Sequence, residues 1–154
     1  MDVEKTIREY LPNVIHMSLA TCAGNKPWVC EVHFVYDDDL NLYWRSTPDR
    51  RHSQELAANP HVAGNIVEQH AQGQKPRGVY FEGVAEMLTG VTADSPAYKL
   101  YAERLARGPE ILEDAANPEG NQFYKITVKD WYVFDFRESD PGGKFHLGWN
   151  GGQK

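Results

Sequence analysis

The spacing of hydrophobic and polar positions predicts a chain built mainly of β-strands. Residues 28–36 alternate strictly between two faces, which is typical of a strand with one buried side. One face carries Trp28, Cys30, Val32, Phe34 and Tyr36, and the other carries Val29, Glu31, His33 and Val35. Further strand-like runs cover residues 14–21, 40–45, 61–68, 78–88 and 122–136. Gly83 predicts a bulge within its run, and a bend is expected near Lys129 and Asp130.

Three segments predict helices from their apolar spacing and their capping residues. Asp2 can cap a first helix that places Val3, Ile7 and Leu11 on one face. Thr47 can cap a helix through residue 58, and Ser95 precedes a helix that ends before residue 108. The segment between that last helix and residue 122 is acidic and is expected to be a loop.

Six strands with helices between some of them favour a small antiparallel barrel over an alternating α/β sheet. The short turns between neighbouring strands support antiparallel pairing. We therefore expect a mainly β (α+β) fold with peripheral helices, in one domain over residues 1–154. Residues 139–154 are rich in Gly and Lys and are expected to form a mobile tail.

Composition narrows the classes of function. The chain has 154 residues, 41% of them hydrophobic, and a formal net charge of -6, which weighs against nucleic-acid binding. No apolar run approaches the ~20 residues of a membrane span, and the first residues lack a secretion signal. Cys22 and Cys30 lie eight apart, so we interpret them as reduced thiols in a cytoplasmic protein. The histidines lack metal-ligand spacing, and no metal is expected.

The most informative stretch joins a predicted strand to a predicted helix at residues 45–52. Arg45 and Ser46 end the strand, and Arg51 and His52 follow at the start of the helix, next to a further arginine. Free backbone N–H groups at a helix start attract anions, and arginine binds phosphate oxygens in pairs. The stretch is therefore a candidate phosphate site. A solvated basic helix face is the alternative.

The order of these motifs resembles the pyridoxamine 5′-phosphate oxidase-like FMN-binding split barrels from residue 14 to residue 136. The specific part is Leu-Asn-Leu-Tyr-Trp-Arg-Ser at residues 40–46, then Arg51-His52, Leu56 and Asn-Pro-His-Val at residues 59–62. An apolar strand ending in Ser or Thr, a basic pair, a leucine and an Asn-Pro form the similar family pattern. The resemblance implies a six-stranded antiparallel split β-barrel, working as a homodimer with flavin between the subunits.

The resemblance also implies which residues hold the cofactor. Arg45, Ser46, Arg51 and His52 would surround the FMN phosphate, although the family usually has Lys or Arg where His52 stands. Backbone groups of the strand formed by Val29, Cys30, Glu31 and Val32 would follow the isoalloxazine ring. In the tail, Trp149 and His146 stand where some relatives cover the partner's flavin. No catalytic side chain can be named.

The leading hypothesis is an FMN-dependent oxidoreductase that transfers hydride through flavin N5 to or from a small molecule. True pyridoxamine phosphate oxidation is disfavoured, because the tail has no arginine-containing segment to bind the substrate phosphate. A different class is a non-catalytic module that binds flavin, deazaflavin or haem for storage or sensing. The sequence has no dinucleotide-binding glycine motif and no P-loop.

Overall fold

The fold is taken from a computed structural model, which describes residues 1–137 and 144–151. Within these residues there are four α-helices, one 3-10 helix and eight strands. In chain order they are α1 Val3–Tyr10, the 3-10 helix Leu11–Asn13, β1 His16–Ala23, β2 Lys26–His33, β3 Val35–Tyr36, β4 Leu42–Ser46, α2 Arg51–Ala58, β5 His61–Val67, β6 Arg77–Met87, α3 Pro96–Leu105, α4 Glu110–Ala116, β7 Gln122–Asp135 and β8 Lys144–Gly148.

All strands pair antiparallel in one sheet, in the order β2-β1-β5-β6-β7-β4-β3, with β8 added to β7. The first half of the long strand β7 pairs with β4, and its second half pairs with β8. The sheet curls into a half-barrel, which confirms the mainly β split-barrel prediction. The described residues hold eight strands rather than six, because the predicted strand 28–36 breaks at Phe34 and the tail supplies β8.

The bulge predicted at Gly83 and the bend predicted near Lys129 are one feature. The pairing of β6 with β7 shifts between Glu82 and Gly83, so that Lys129 is an extra residue without a partner in that ladder. A Cβ at Gly83 would lie 2.5 Å from the carbonyl oxygen of Thr127. Only glycine allows this close approach of the two backbones, which bends the sheet here.

The main core fills the inside of the half-barrel with aromatic and aliphatic side chains. Trp44 stacks on Tyr124 with ring centroids 5.0 Å apart, and Trp131 meets the edge of Phe81 at 5.9 Å. A second, smaller cluster lies under α3 and α4 and consists of Val35, Tyr43, Ala97, Tyr101, Ile111 and Phe123. The two clusters cover both faces of the sheet around β4 and β7.

Two helices differ from the sequence-based expectation. Helix α2 begins at Arg51 instead of residue 48, because residues 47–50 form a turn closed by the Arg50 N–H donating to the Thr47 carbonyl (3.2 Å). Helix α4 occupies the segment expected to be an acidic loop, so that prediction was wrong. Burial of Ile111 attaches this short helix to the second cluster, and seven residues are too few to show a helical period. The Asp2 cap of α1 is confirmed, with the Lys5 N–H donating to its carboxylate at 3.0 Å.

The expected mobile tail is wrong for residues 144–149. Strand β8 pairs with β7, and the side chain of Trp149 is 2% exposed within the main core. Its indole N–H donates to the carbonyl oxygen of Asp39 at 2.7 Å, and the Arg8 guanidinium lies 5.8 Å from the ring. Burial of a large aromatic ring explains why this glycine-rich segment is anchored. The rest of the expected tail, residues 139–143 and 152–154, lies outside the described residues.

Among the described residues, every helix is too short or too polar to cross a membrane.

Candidate functional site

A cavity of about 870 Å³ opens between β2, the turn from β4 to α2, and helices α3 and α4. Seven of the residues predicted from the sequence line it: Cys30, Glu31, Val32, Arg45, Ser46, Arg51 and His52. The structure thus brings together two stretches that are separated in the chain. The volume lies within the range of small-molecule and cofactor sites.

The first wall is the turn between β4 and α2. Ser46 ends β4 with a buried side chain, and His52 lies in the first turn of α2. A hydrogen bond of 2.8 Å joins the Ser46 hydroxyl and the Nε2 atom of His52. Burial lowers the pKa of His52, the charge of Arg50 lowers it further, and Glu55 acts in the opposite direction. The imidazole is therefore held in its neutral form near pH 7.

Arg51 lies on the same wall in an arrangement that leaves part of its guanidinium free to bind a ligand. Its Nε atom donates to the Glu55 carboxylate at 3.0 Å, and its guanidinium lies 4.3 Å from the ring centroid of Trp28. Glu55 is buried and also accepts a hydrogen bond from the Thr21 hydroxyl at 3.4 Å. Glu55 and Trp28 therefore hold Arg51 in place, and its side chain remains 49% exposed.

Strand β2 forms the second wall. Trp28, Cys30 and Val32 from one face of the strand line the cavity, and so do Glu31 and His33 from the other face, so the alternation does not separate the lining residues. The side chain of Val29 is 60% exposed and lies outside the cavity, so this residue has only its backbone to offer. One edge of β2 pairs with β1, and the other edge has no strand partner in residues 1–137 and 144–151. Burial raises the pKa of the Cys30 thiol, which disfavours a nucleophilic role.

The third wall comes from α3, α4 and the start of β7, and sequence reasoning missed it. It consists of Tyr101, Leu105, Arg107, Asp114 and Asn121. No local signal could have found these residues, because they belong to the site only through contacts made over long sequence distances. One such contact joins Arg45 to Asp114, 69 residues away.

The side chain of Arg45 contacts the third wall rather than the turn between β4 and α2. Its guanidinium donates to the Asp114 carboxylate at 2.8 Å, and the Asn121 amide donates to the same oxygen at 2.9 Å. The Asn121 hydrogen bonds and the Arg45 charge lower the pKa of Asp114, so the ion pair is stable near neutral pH. Arg45 is thus committed to Asp114, whereas the sequence-based prediction assigned it to a phosphate.

Two further corrections concern the tail residues that the resemblance implied. Trp149 is packed in the main core of its own subunit and does not line the cavity, so we remove it from the candidate site. His146 pairs with Asp130 at 2.7 Å and stacks on Tyr132, also away from the cavity. By contrast Trp28 and Arg50 line the cavity although neither was among the predicted site residues; their places beside the predicted strand segment and beside Arg51 are signals that could have found them.

Comparisons with known proteins agree with this fold. Residues 3–135 match the family model described as pyridoxamine 5′-phosphate oxidase. A UPF0306 protein of Photorhabdus laumondii is 29% identical over 99 residues, which cover 64% of this chain and 68% of that protein. UPF0306 proteins of Yersinia pestis are 28% identical over 60% of their length.

Solved structures also resemble this chain. HutZ, the haem storage protein of Vibrio cholerae, has a TM-score of 0.62 at 22% identity, covering 83% of this chain and 91% of that chain. An FAD-binding protein of Mesorhizobium loti has a TM-score of 0.60 at 20% identity, covering 83% of this chain and 89% of that chain. At these identities the resemblance shows the fold alone.

Proposed function

Because this chain belongs to the pyridoxamine 5′-phosphate oxidase family, we propose that its cavity binds FMN and that the protein is a flavin-dependent oxidoreductase. The substrate would be a small molecule that gives hydride to the flavin or takes hydride from it. A flavin bound in this cavity would supply that redox chemistry through its isoalloxazine ring. The side chains of the protein would bind and orient the flavin and the substrate.

One observation carries the proposal. The turn between β4 and α2 places a cluster of anion-binding groups in the same cavity that strand β2 lines with an unpaired edge. Ser46 offers a hydroxyl group, and Arg50 and Arg51 offer guanidinium groups, next to the start of α2, whereas the Thr47 hydroxyl donates to the Asp49 carboxylate. Hydroxyls, guanidiniums and backbone N–H groups at a helix start suit a phosphate monoester. These residues fit the phosphate group of FMN.

The other residues of the cavity suit the ring and ribityl parts of such a cofactor. The unpaired edge of β2 beside Cys30 and Val32 presents backbone donors and acceptors to the polar edge of a flat ring. The indole of Trp28 offers an apolar face. The Ser46–His52 hydrogen bond fixes the serine hydroxyl, so that it can donate or accept at a constant position.

We also propose that the protein works as a homodimer. Apolar side chains are exposed on or beside the outer face of β2, β1 and β5: Val29 is 60%, Ile15 is 45% and Val67 is 37% exposed. An exposed group of apolar residues next to a ligand cavity is typical of a subunit interface. Pairing at this face would cover them and would bring a second subunit towards the cavity.

The first experiment is a visible absorption spectrum of the purified full-length protein, followed by titration of the colourless form with FMN. Flavin bands, or saturable binding at micromolar FMN, are the expected result. Addition of reduced nicotinamide to the loaded protein, with loss of the 450 nm band as the readout, then tests whether the flavin accepts hydride. The FMN proposal fails if the protein neither contains FMN nor binds it.

Replacement of Arg51 tests the phosphate contact directly. We expect Arg51→Ala to weaken FMN binding by roughly 10- to 150-fold, because a charge-assisted phosphate contact contributes about 1.5–3 kcal/mol. Riboflavin, which has no phosphate, should bind wild type and variant equally, and Arg51→Lys should retain most of the FMN affinity. An equal loss for both ligands would show that Arg51 does not contact phosphate.

A non-catalytic haem-binding module is the second candidate, and His33 is the observation that favours it. His33 lies on β2 with an exposed side chain and lines the cavity, where an imidazole could reach a bound planar ring. A protein similar in fold is a haem storage protein. The same spectrum separates the candidates, because haem binding produces a Soret band near 400 nm and FMN binding does not.

A further inference from the structure

Tyr101 is a buried residue whose hydroxyl the proposed FMN site does not use. The residue is 4% exposed and lines the cavity from α3, with its ring packed edge-on against Phe123 at 5.8 Å. Within residues 1–137 and 144–151, its hydroxyl has no hydrogen-bond partner. The hydroxyl is not fully enclosed by protein, so its position at the cavity wall leaves it free to donate to a ligand atom inside the cavity.

Two guanidinium groups lie next to this hydroxyl. The charges of Arg45 and Arg107 both act to lower the pKa of Tyr101, against burial, which raises it and keeps the phenol protonated. Arg45 is compensated by its ion pair with Asp114 at 2.8 Å. Arg107 uses only its Nε atom, which donates to Glu110 at 3.3 Å, and this pair is half-exposed and therefore weak.

The donors available at this end of the cavity can be counted. Tyr101 offers one O–H group, and Arg107 offers N–H groups of its two terminal nitrogens, which have no partner in the described part of the chain. Arg45 and Asp114 compensate each other, and the half-exposed Glu110 offsets part of the charge of Arg107, so this part of the cavity carries at most one positive charge. One positive charge and two kinds of donor match the two oxygens of a carboxylate better than a phosphate dianion, which needs more donors and more charge.

We propose that Tyr101 and Arg107 form a subsite for a carboxylate, and that the small-molecule substrate is a carboxylic acid. Leu105 lies between them on the same wall and would contact the apolar part of that acid. The substrate class rests on the proposed FMN function, in which the FMN phosphate would lie beside Ser46 and Arg51 on the first wall of the cavity. The subsite itself depends only on the third wall.

The test uses the full-length protein with benzoate as the probe and benzamide as its neutral counterpart. Binding is measured by calorimetry with FMN present and with FMN absent. We expect benzoate to bind saturably and Tyr101→Phe to weaken it about tenfold or more, because a hydrogen bond to a charged group is lost. Tyr98→Phe, on the same helix but outside the cavity lining, should bind benzoate like the wild type. Arg107→Gln should also weaken benzoate and leave benzamide unchanged.

The outcomes separate this subsite from the FMN proposal. If FMN binds and benzoate does not, or if Tyr101→Phe binds benzoate like the wild type, the subsite is overturned and the FMN proposal stands. If benzoate binding depends on Tyr101 in a protein that does not take FMN, the subsite stands and the FMN proposal fails. Competition with inorganic phosphate tests the choice of a carboxylate. If phosphate displaces benzoate and binds the subsite more tightly than benzoate does, that choice is overturned.

Discussion

His52 is the residue at which this cavity differs most from the pattern that the family resemblance implies. A lysine or arginine is usual there and would carry a permanent positive charge. His52 is buried, bonded to Ser46, and neutral near pH 7 because burial lowers its pKa. Protonation of His52 at lower pH would therefore add a positive charge to the cavity.

We expect FMN binding and protein stability to change in opposite directions with pH. As pH falls from 8 towards 5.5, protonated His52 adds a positive charge near the phosphate, and FMN affinity should rise up to roughly tenfold. Over the same interval the free energy of unfolding of the FMN-free protein should fall. The pKa of His52 in the folded state lies below its unfolded value of about 6.5, so below that pH the unfolded chain binds more protons.

Titrations with FMN and urea unfolding at pH 8, 7, 6 and 5.5 measure both effects. His52→Gln should remove the rise in FMN affinity and should reduce the fall in stability, while protonation of the FMN phosphate affects both proteins equally. A His52→Gln protein with the same two pH profiles as the wild type would contradict the assignment.

Between elements, Arg104 is the side chain that ties α3 to the rest of the half-barrel. Its guanidinium donates to the carbonyl oxygens of Leu11 and Val14, at 2.9 and 2.6 Å, and lies 4.4 Å from the ring centroid of Tyr36. These contacts join α3 to the link between α1 and β1. Since α3 carries Tyr101, Arg104 also determines where the third wall of the cavity lies.

Arg104→Met is expected to lower the free energy of unfolding by roughly 2–3 kcal/mol. The variant keeps an aliphatic side chain but leaves two carbonyl groups without their charged donor. Lys99→Met is the control, because Lys99 is an exposed cation on the same helix. Urea unfolding compares the three proteins. Equal stability of the Arg104 variant and the Lys99 variant would show that this contact does not stabilise the fold.

For the molecule as a whole, the half-barrel exposes one broad face of its sheet. On that face Val29 of β2 pairs in register with Ala20 of β1, which pairs with Ala63 of β5, so small and apolar side chains make the centre flat. A shallow groove of about 460 Å³ borders this centre, and Ile15 and Val67 line it together with polar residues such as Ser18, Glu31 and Asn65. Flat apolar faces suit association with a second copy of the same surface.

Val29→Glu should convert the proposed dimer to a monomer, because two carboxylates would be buried near each other at a twofold interface. Sedimentation equilibrium at several protein concentrations measures the change in mass. Met87→Glu is the matched control, since Met87 is an exposed apolar residue at the far end of β6 and should leave the mass unchanged. A wild-type protein that sediments as a monomer would refute the proposed dimer.

Local patterns in the sequence were sufficient for most of the strands, although not for the break at Phe34 or for β8, and for one wall of the site. Alternation at residues 28–36 predicted strand β2 and its core-packing residues Cys30 and Val32, and the cap at Asp2 predicted the start of α1. The grouping of Ser46, Arg51 and His52 followed from neighbours within seven residues of the chain. Such features depend on side-chain period and backbone chemistry, which act over a few residues and can be read from the order of amino acids.

Only the tertiary structure decided the rest of the site. Asp114 forms an ion pair with Arg45, 69 residues away, and Trp149 donates to the carbonyl oxygen of Asp39, 110 residues away. Tyr101 lines the cavity because α3 packs on β7 through Phe123. These contacts arise when the curled sheet brings distant segments together, and burial then determines which side chains keep partners and which remain free for a ligand. By itself, the sequence determined the strands and the basic turn, and packing determined the third wall of the cavity and the position of Trp149.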